Sequence, residues 1–468
     1  METSFLQNTM LRIGNLMNVG FGSAGVDIIR HYLLQGSSSG RLALHQSGST
    51  VNCIFLFCDI RQFTDATEAL QEDIFVFTNK IAFVVHSICN AYDGHVNKNI
   101  GDAFLIAWRL PDEPTDMIET TAITDTSKPD SLADKALYSV IKIRLALNNN
   151  LYFLESIGAS AKGRLLEKLG DDKGQVVRLG FGLHAGQAVQ GAIGSQRKID
   201  ATYISEAVDR SEMLESLTKR YGLSNLMSNS FYDLLSTTVR DKCRKVDRVI
   251  LGFDAEDDYC LDNTSEKMIL YTFDIDIDAL HQAKDIGARA QRSNGLTPDA
   301  SVRESRRLST TSSVNKSNSA RVIDSLLAQG NNQTVGELSS KLLLSHVNVA
   351  NSSFRGSSTD NVFSPLSEDH CQTKMDPGFM GLQHENFGSH LWTREDMCIM
   401  HQCYCDDFFH PTFSSALESY FNCDWIDARA KFLLILERIK DGPSNYFLGI
   451  IDANNGHPFI GFKGYGEV

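Results

Sequence analysis

Apolar positions along the chain change period several times, and each change marks an element. Val51-Asn-Cys-Ile-Phe-Leu-Phe57 is nearly continuous in apolar residues and predicts a buried strand, with Asp59 directly at its end. Leu70, Ile74, Phe77, Ile81, Val84 and Ile88 recur at helical spacing and predict a helix over Ala66–Tyr92, closing near Asp93-Gly94. Two short strands follow, over His95–Ile100 and Ala103–Trp108, and Gly101-Asp102 between them reads as a tight hairpin turn. Residues 111–133 are rich in Pro, Asp and Thr and read as a surface loop. A helix is expected from Asp134 to about Phe153, then a polar excursion to Gln175. Strands are expected at Val176–His184, Ala188–Ile193, Ala201–Ile204, Val246–Leu251 and Met268–Phe273. Helices over Glu206–Tyr221 and Ser230–Leu235 separate the later ones. Strands and helices that alternate around one sheet imply an α/β or α+β layered domain over residues 50–282.

The flanks have other patterns. Within residues 1–49, Met10, Leu11, Ile13, Leu16 and Met17 and then Val26, Ile28, Ile29, Tyr32 and Leu33 predict two short amphipathic helices around a Gly-Phe-Gly break. Residues 283–395 are dominated by Ser, Asn, Thr, Gly and Arg, a composition that cannot bury enough surface to offset the entropy of ordering. A disordered linker is expected there, with a short helix at Val335–Leu344. In residues 396–468 apolar periodicity returns at Phe413, Ala416, Leu417, Tyr420, Trp425, Ala428, Phe432, Leu433 and Leu436. This predicts a helical hairpin docked on the preceding domain, its second helix starting at Asp424-Trp425.

Composition narrows the function classes. The chain has 468 residues, 42% of them hydrophobic, so it can bury a real core. Its formal net charge is -14, and it carries no clustered basic track, which argues against nucleic acid as a partner. The ten cysteines are scattered and no secretory leader is evident, so reduced thiols and a cytoplasmic location are expected. The apolar run Cys53–Cys58 is too short to cross a bilayer. Membrane attachment would then be indirect, through a partner.

The chemistry is carried by Phe57-Cys-Asp59-Ile-Arg-Gln-Phe63-Thr64 and by Asp102. A carboxylate at a strand end, followed by a tight loop into a helix, sets a metal ligand beside backbone amides that suit phosphate oxygens. A second carboxylate on an adjacent hairpin tip allows two divalent cations about 3.5–4 Å apart, the arrangement for in-line displacement at phosphorus. These segments, with Asn99-Ile-Gly-Asp102-Ala, Gly182-Leu-His184-Ala-Gly186 and Gly191-Ala-Ile-Gly194, closely resemble the class III adenylate and guanylate cyclase family over about residues 50–280. The flanks Lys198-Ile-Asp-Ala-Thr-Tyr and Thr218-Lys-Arg-Tyr-Gly222 look like a protist-type subgroup of soluble cyclase regions.

The resemblance implies a ferredoxin-like βαββαβ nucleotidyl cyclase core, an α+β sandwich, that pairs head to tail with another cyclase domain. It implies two Mg²⁺ or Mn²⁺ ions on Asp59 and Asp102, with the Ile60 carbonyl as a further ligand. One metal would activate the ribose 3′-hydroxyl for attack on the α-phosphate, releasing pyrophosphate. Ile60, Phe63 and Thr64 match the loop whose amides hold the triphosphate. Lys98 and Thr202 match the base-selecting positions of adenylate cyclases, which implies ATP as substrate. His184 reads as a strand residue of the motif.

One part of the pattern is broken. The family places an Asn and, four residues on, an Arg on one helix face, where they orient the ribose and stabilise the transferring phosphate. Here those positions are Asp209 and Met213. Losing one such donor costs about 2.7–4 kcal/mol of transition-state stabilisation. Two readings lead: the metal-bearing half of a heterodimer whose partner domain supplies Asn and Arg, or a non-catalytic homology domain that binds nucleotide or a regulatory partner; self-pairing into a fully active homodimer comes third.

Two weaker signals remain. Cys398, His401, Cys403, Cys405 and His410 lack the paired Cys-x₂-Cys spacing of a structural zinc site. Arg306-Arg307-Leu308-Ser309 fits the basic-basic-x-Ser pattern of cyclic-AMP-dependent kinase, although such tetrapeptides arise freely in Ser/Arg-rich linkers. Phosphopeptide mapping after kinase treatment separates these: phosphate on Ser309 supports a feedback site, and an unmodified Ser309 ends the idea.

Overall fold

The computed structural model describes residues 5–14, a few positions between 16 and 29, and then 47–111, 131–170, 175–251, 267–283 and 387–468, short gaps apart. Most of the 111–133 loop, most of the 283–395 linker with Val335–Leu344 and Ser309, and much of the N-terminal segment lie outside the described residues. The end of the expected linker is instead ordered: Ser389–Thr393 forms a 3₁₀ turn, because the apolar Leu391 and Trp392 are buried. The described residues fall into two compact units. One holds residues 1–275, 386–394 and 401–468; the other holds 276–385 and 395–400. In the second, Asp276 Oδ1 accepts from Asp278 N at 2.9 Å, and Asp276 N donates to Met400 O at 2.7 Å.

The first unit is built on a nine-stranded sheet of order β2-β3-β1-β4-β6-β8-β7-β9, with β5 pairing β4. The strands are β1 (Ser49–Ile60), β2 (His95–Ile100), β3 (Ala103–Arg109), β4 (Leu179–Ser195), β5 (Lys198–Ile204), β6 (Asn225–Ser228), β7 (Cys243–Ile250), β8 (Lys267–Phe273) and β9 (Gly466–Glu467). The neighbours β4-β1-β3-β2, all antiparallel, are the ferredoxin-like βαββαβ arrangement. Helices α1 (Phe63–Leu70) and α2 (Ile74–Ala91), α3 (Leu132–Leu147) and α4 (Ala159–Leu169) belong to its crossovers. Side chains of β1 alternate: Cys53, Phe55 and Phe57 enter one apolar cluster with Leu105, Ala188, Tyr203 and Ala207, while Ile54, Leu56 and Cys58 are buried on the other face. Asp59 has the parity of Phe55 and Phe57.

Helix α5 (Glu206–Tyr221) covers the first of these faces, along β4 and β1. Ser205 caps it, its Oγ accepting from Ala207 N at 2.9 Å, and Gly222 closes it at φ 63°. Its approach to β4 is close because glycines line the strand at alternate positions. A Cβ on Gly182 would stand 2.0 Å from Ser211 O, and one on Gly186 2.8 Å from Ala207 Cβ. Between them His184 is 4% exposed, with Nδ1 2.8 Å from Ser228 Oγ. Burial, and then the nearby Arg210, push the imidazole down to about 4.

Several expectations are corrected. Strand β1 runs to Ile60, so Asp59 lies inside it, paired with Ala103 and Gly180 rather than beyond the end. The helix expected over Ala66–Tyr92 is two helices joined by a 3₁₀ turn at Gln71–Asp73, because Gln71 takes a φ of 55°. The polar excursion before Gln175 contains α4, whose Ala161, Leu165 and Leu169 form a narrow buried stripe. Val176–His184 and Ala188–Ile193 are one 17-residue strand, β4. Strand β6 was not expected; it is short and pairs in parallel with β4.

Among the described residues the C-terminal segment holds more than the expected hairpin: after a short helix at Glu395–His401 come α6 (Phe409–Phe421), α7 (Trp425–Leu436) and α8 (Gly442–Ala453). Asp424 caps α7, its Oδ1 accepting from Asp427 N at 3.1 Å. Phe409, Phe413, Phe432 and Phe447 share one core cluster with Leu214, Leu217, Tyr221, Val246 and Leu270. A buried ion cluster ties the two parts. Arg244 Nε and Nη2 each donate to Asp274 at 2.8 Å, and Nη2 also donates to Asp441 Oδ1 at 2.9 Å. Asp441 Oδ2 in turn caps α8 through Ser444 N at 2.9 Å.

Arg244→Met should destabilise the chain by about 3–5 kcal/mol, because Asp274 and Asp441 would stay buried without their cation; urea unfolding measures this. Since His184 is held neutral well below its unfolded value, its contribution is complete above about pH 6.5. It is lost as pH falls toward 4, by an amount on the order of 3 kcal/mol. Thermal melts from pH 7 to 4 should therefore show a shallower acid loss for His184→Asn than for wild type.

Candidate functional site

Asp59 and Asp102 come together where β1 ends and the β2–β3 hairpin turns. The turn forms because Gly101 takes a φ of 66°, and Ile60 N donates to Asp102 O at 3.3 Å, fixing the turn to the end of β1. Burial, then the neighbouring Asp59 carboxylate, raise the Asp102 carboxyl above the usual carboxylate range. Two close carboxylates of this kind favour a cation between them.

The chain after Asp59 turns sharply. Arg61 N donates to Arg178 O at 2.9 Å, Gln62 takes a φ of 56°, and α1 begins at Phe63. The first intrahelical bond into the turn is Ala66 N to Gln62 O at 3.0 Å, and no side chain caps the helix. The amides of Phe63 and Thr64 precede that bond and are directed out of the helix start. The Ile60 amide, by contrast, is engaged by Asp102 O.

Cations surround the carboxylate pair. Lys219 Nζ, on the last turn of α5, lies 3.3 Å from Asp59 Oδ2 and 3.8 Å from Glu215 Oε2. Arg61 Nη1 lies 3.0 Å from Glu215 Oε1, and Arg61 Nη2 also bonds the Thr218 hydroxyl. Burial raises the Glu215 carboxyl, while Arg61 and Lys219 oppose the shift. Arg178 Nη2 donates to Gln62 Oε1 at 2.5 Å, holding a third cation on the loop. Arg61, Arg178, Glu215 and Lys219 were not singled out from the sequence. The usable signal was the i, i+4 pair Glu215–Lys219 at the end of a helix that starts at a motif strand.

Lys98 and Thr202 each lie one residue from a contact between β2 and β5. Lys98 follows a bulge in β2, and Asn97 Nδ2 donates to Ala201 O at 3.4 Å, joining β2 to β5 at this point. Thr202 is buried, its hydroxyl donating to Tyr203 O at 3.3 Å. On α5, Asp209 is exposed, and Met213 is partly buried against the core cluster that α6–α8 share. Arg210 Nη2 donates to Glu206 Oε1 at 2.6 Å, one turn back on the same helix.

The donor set suits magnesium or manganese. Among the described residues no group of three or more His, Cys, Asp or Glu is placed to hold a metal. Mg²⁺ is usually held by one or two carboxylates together with substrate phosphates and water. His401 is buried with Nδ1 2.6 Å from Asp274 O, a structural contact.

Known proteins match the same region. Residues 45–263 match the family model described as the adenylate and guanylate cyclase catalytic domain, and residues 1–34 match one described as the RasGEFs all helical domain. The chain is similar to an adenylate cyclase of Anabaena cylindrica, 28% identical over 205 residues, covering 44% of this chain and 35% of that one. It is also similar to adenylate cyclase 1 of Rhizobium meliloti, 22% identical over 205 residues, covering 44% and 26% respectively. The chain thus spans about a third or less of these relatives. Among solved structures, a bacterial light-regulated adenylyl cyclase is 19% identical with a TM-score of 0.38, covering 58% of this chain and 64% of that one. Over residues 45–263, then, the chain is similar to the catalytic domains of adenylate and guanylate cyclases.

Proposed function

We propose that this domain is the metal-bearing half of an adenylate cyclase site, converting ATP to 3′,5′-cyclic AMP and pyrophosphate together with a second cyclase domain. The observation that carries the reading is the convergence of Asp59 and Asp102 beside an uncapped helix start rimmed by Arg61, Arg178 and Lys219. Asp59, Asp102 and the Ile60 carbonyl would hold two Mg²⁺ or Mn²⁺ ions. Divalent cations so held supply charge neutralisation at the triphosphate and acidify the ribose 3′-hydroxyl. The amides of Phe63 and Thr64 would bind phosphate oxygens, and Arg61 and Arg178 would keep the loop in shape. Lys98 would donate to an adenine ring nitrogen and Thr202 would face the exocyclic amine.

The partner is required by Asp209 and Met213. Neither can donate to a transferring phosphate, so a second domain would supply the Asn and Arg. A cytoplasmic location, with any membrane attachment through the partner, goes with this reading. The stretch Phe63–Ala91 is long and apolar enough to cross a bilayer, yet it breaks at Gln71 and buries Phe77, Ile81, Val84 and Ile88 in the domain.

A second reading is favoured by Met213 itself. Its side chain packs against the apolar cluster shared with the C-terminal helices, which suits a regulatory module that binds nucleotide without turnover.

Mixing the chain with a cyclase domain that carries the Asn and Arg separates the two. With Mg-ATP or Mn-ATP the chain alone should be nearly silent, and the mixture should gain cyclic AMP formation. Asp59→Ala should remove at least a hundredfold of that gain, and Mg-GTP should support less of it than Mg-ATP. No gain on mixing leaves the binding-module reading.

A further inference from the structure

We propose that Lys219 is a built-in counter-ion of the Asp59–Asp102 pair and competes with divalent cations for it. This rests on the reading of that pair as a metal site. The ammonium is 3.3 Å from Asp59 Oδ2, and the Asp59 carboxylate in turn lies beside that of Asp102. A divalent ion coordinated by Asp59 would stand within a few ångströms of that ammonium, so the two cations repel and one must withdraw.

The position of Lys219 is set by the fold. It sits on the last turn of α5, whose register on β4 is fixed by the contact at Gly182. The end of α5 is fixed again beyond Lys219. Tyr221 Oη donates to the buried Asp247 Oδ2 at 2.6 Å, and a Cβ on Gly442 would stand 2.2 Å from Tyr221 O. Glu215, 3.8 Å from the ammonium, is already engaged by Arg61 at 3.0 Å. Lys219 therefore has a retreat when it leaves Asp59: its side chain is 53% exposed on a flexible stem, and Glu215 remains beside it. The carboxylate pair thus carries its own monovalent cation, and metal binding is an exchange of cations at Asp59.

Mn²⁺ binding to the full chain, read by the electron paramagnetic resonance signal of free Mn²⁺ without nucleotide, tests this. Lys219→Met should tighten Mn²⁺ binding about five- to tenfold, the discounted effect of one half-exposed charge, and the gain should shrink in high salt. Lys219→Arg should stay near wild type, and Asp59→Asn should abolish binding in every background. Lys219→Gln gives the same reading if the Met variant does not melt cooperatively. Equal or weaker Mn²⁺ binding by the charge-removed variants, with binding still lost in Asp59→Asn, overturns the competition and leaves the metal site standing. Mn²⁺ binding by neither wild type nor Lys219→Met overturns both.

Discussion

The structure depends on how closely α5 lies on β4. Gly180, Gly182 and Gly186 remove side chains from the strand face where the helix sits, and a Cβ at Gly180 would itself stand 2.1 Å from Arg61 Nη2. That approach sends the last turn of α5 to the end of β1, so Glu215, Thr218 and Lys219 reach Arg61 and Asp59. The site is therefore a product of helix-on-sheet packing as much as of the loop that follows Asp59. A side chain on that glycine track would lift α5 and uncouple the charges.

The C-terminal helices act on the same element from its far end. Their aromatic cluster includes Leu214, Leu217 and Tyr221 of α5, and the Arg244 ion cluster joins Asp441 at the start of α8 to β7 and Asp274. Met213 lies where the apolar cluster meets the exposed side of α5. An arginine there would carry its charge past that apolar surface, which gives a packing reason for methionine. The exposed Asp209 has no comparable explanation in the structure.

Local pattern accounts for much that was legible. The apolar run of β1, the glycine of the β2–β3 turn and the capped helix Glu206–Tyr221 each follow from short-range chemistry. Asp59 and Asp102 could be paired because hairpin geometry puts adjacent strand ends together. What escaped depends on distance or on weak periodicity. Helix α4 has only a narrow apolar stripe, and Gly186 inside β4 reads as a break when its role is to admit α5. The Lys219–Asp59 contact joins residues 160 apart in sequence, and no local pattern predicts it. Arg61 stood inside the recognised loop, but its partners Glu215 and Thr218 are defined only by the packing of α5.

The proposed function stands on Asp59 and Asp102 holding divalent metal at a triphosphate. A crystal structure with Mn²⁺ and a non-cyclisable ATP analogue, read by anomalous scattering at the manganese edge, tests it most directly. The expected result is manganese peaks between the two carboxylates, phosphates at the Phe63 and Thr64 amides, and Lys219 withdrawn from Asp59. Nucleotide bound with no manganese at Asp59 and Asp102, and Lys219 still on Asp59, would contradict it.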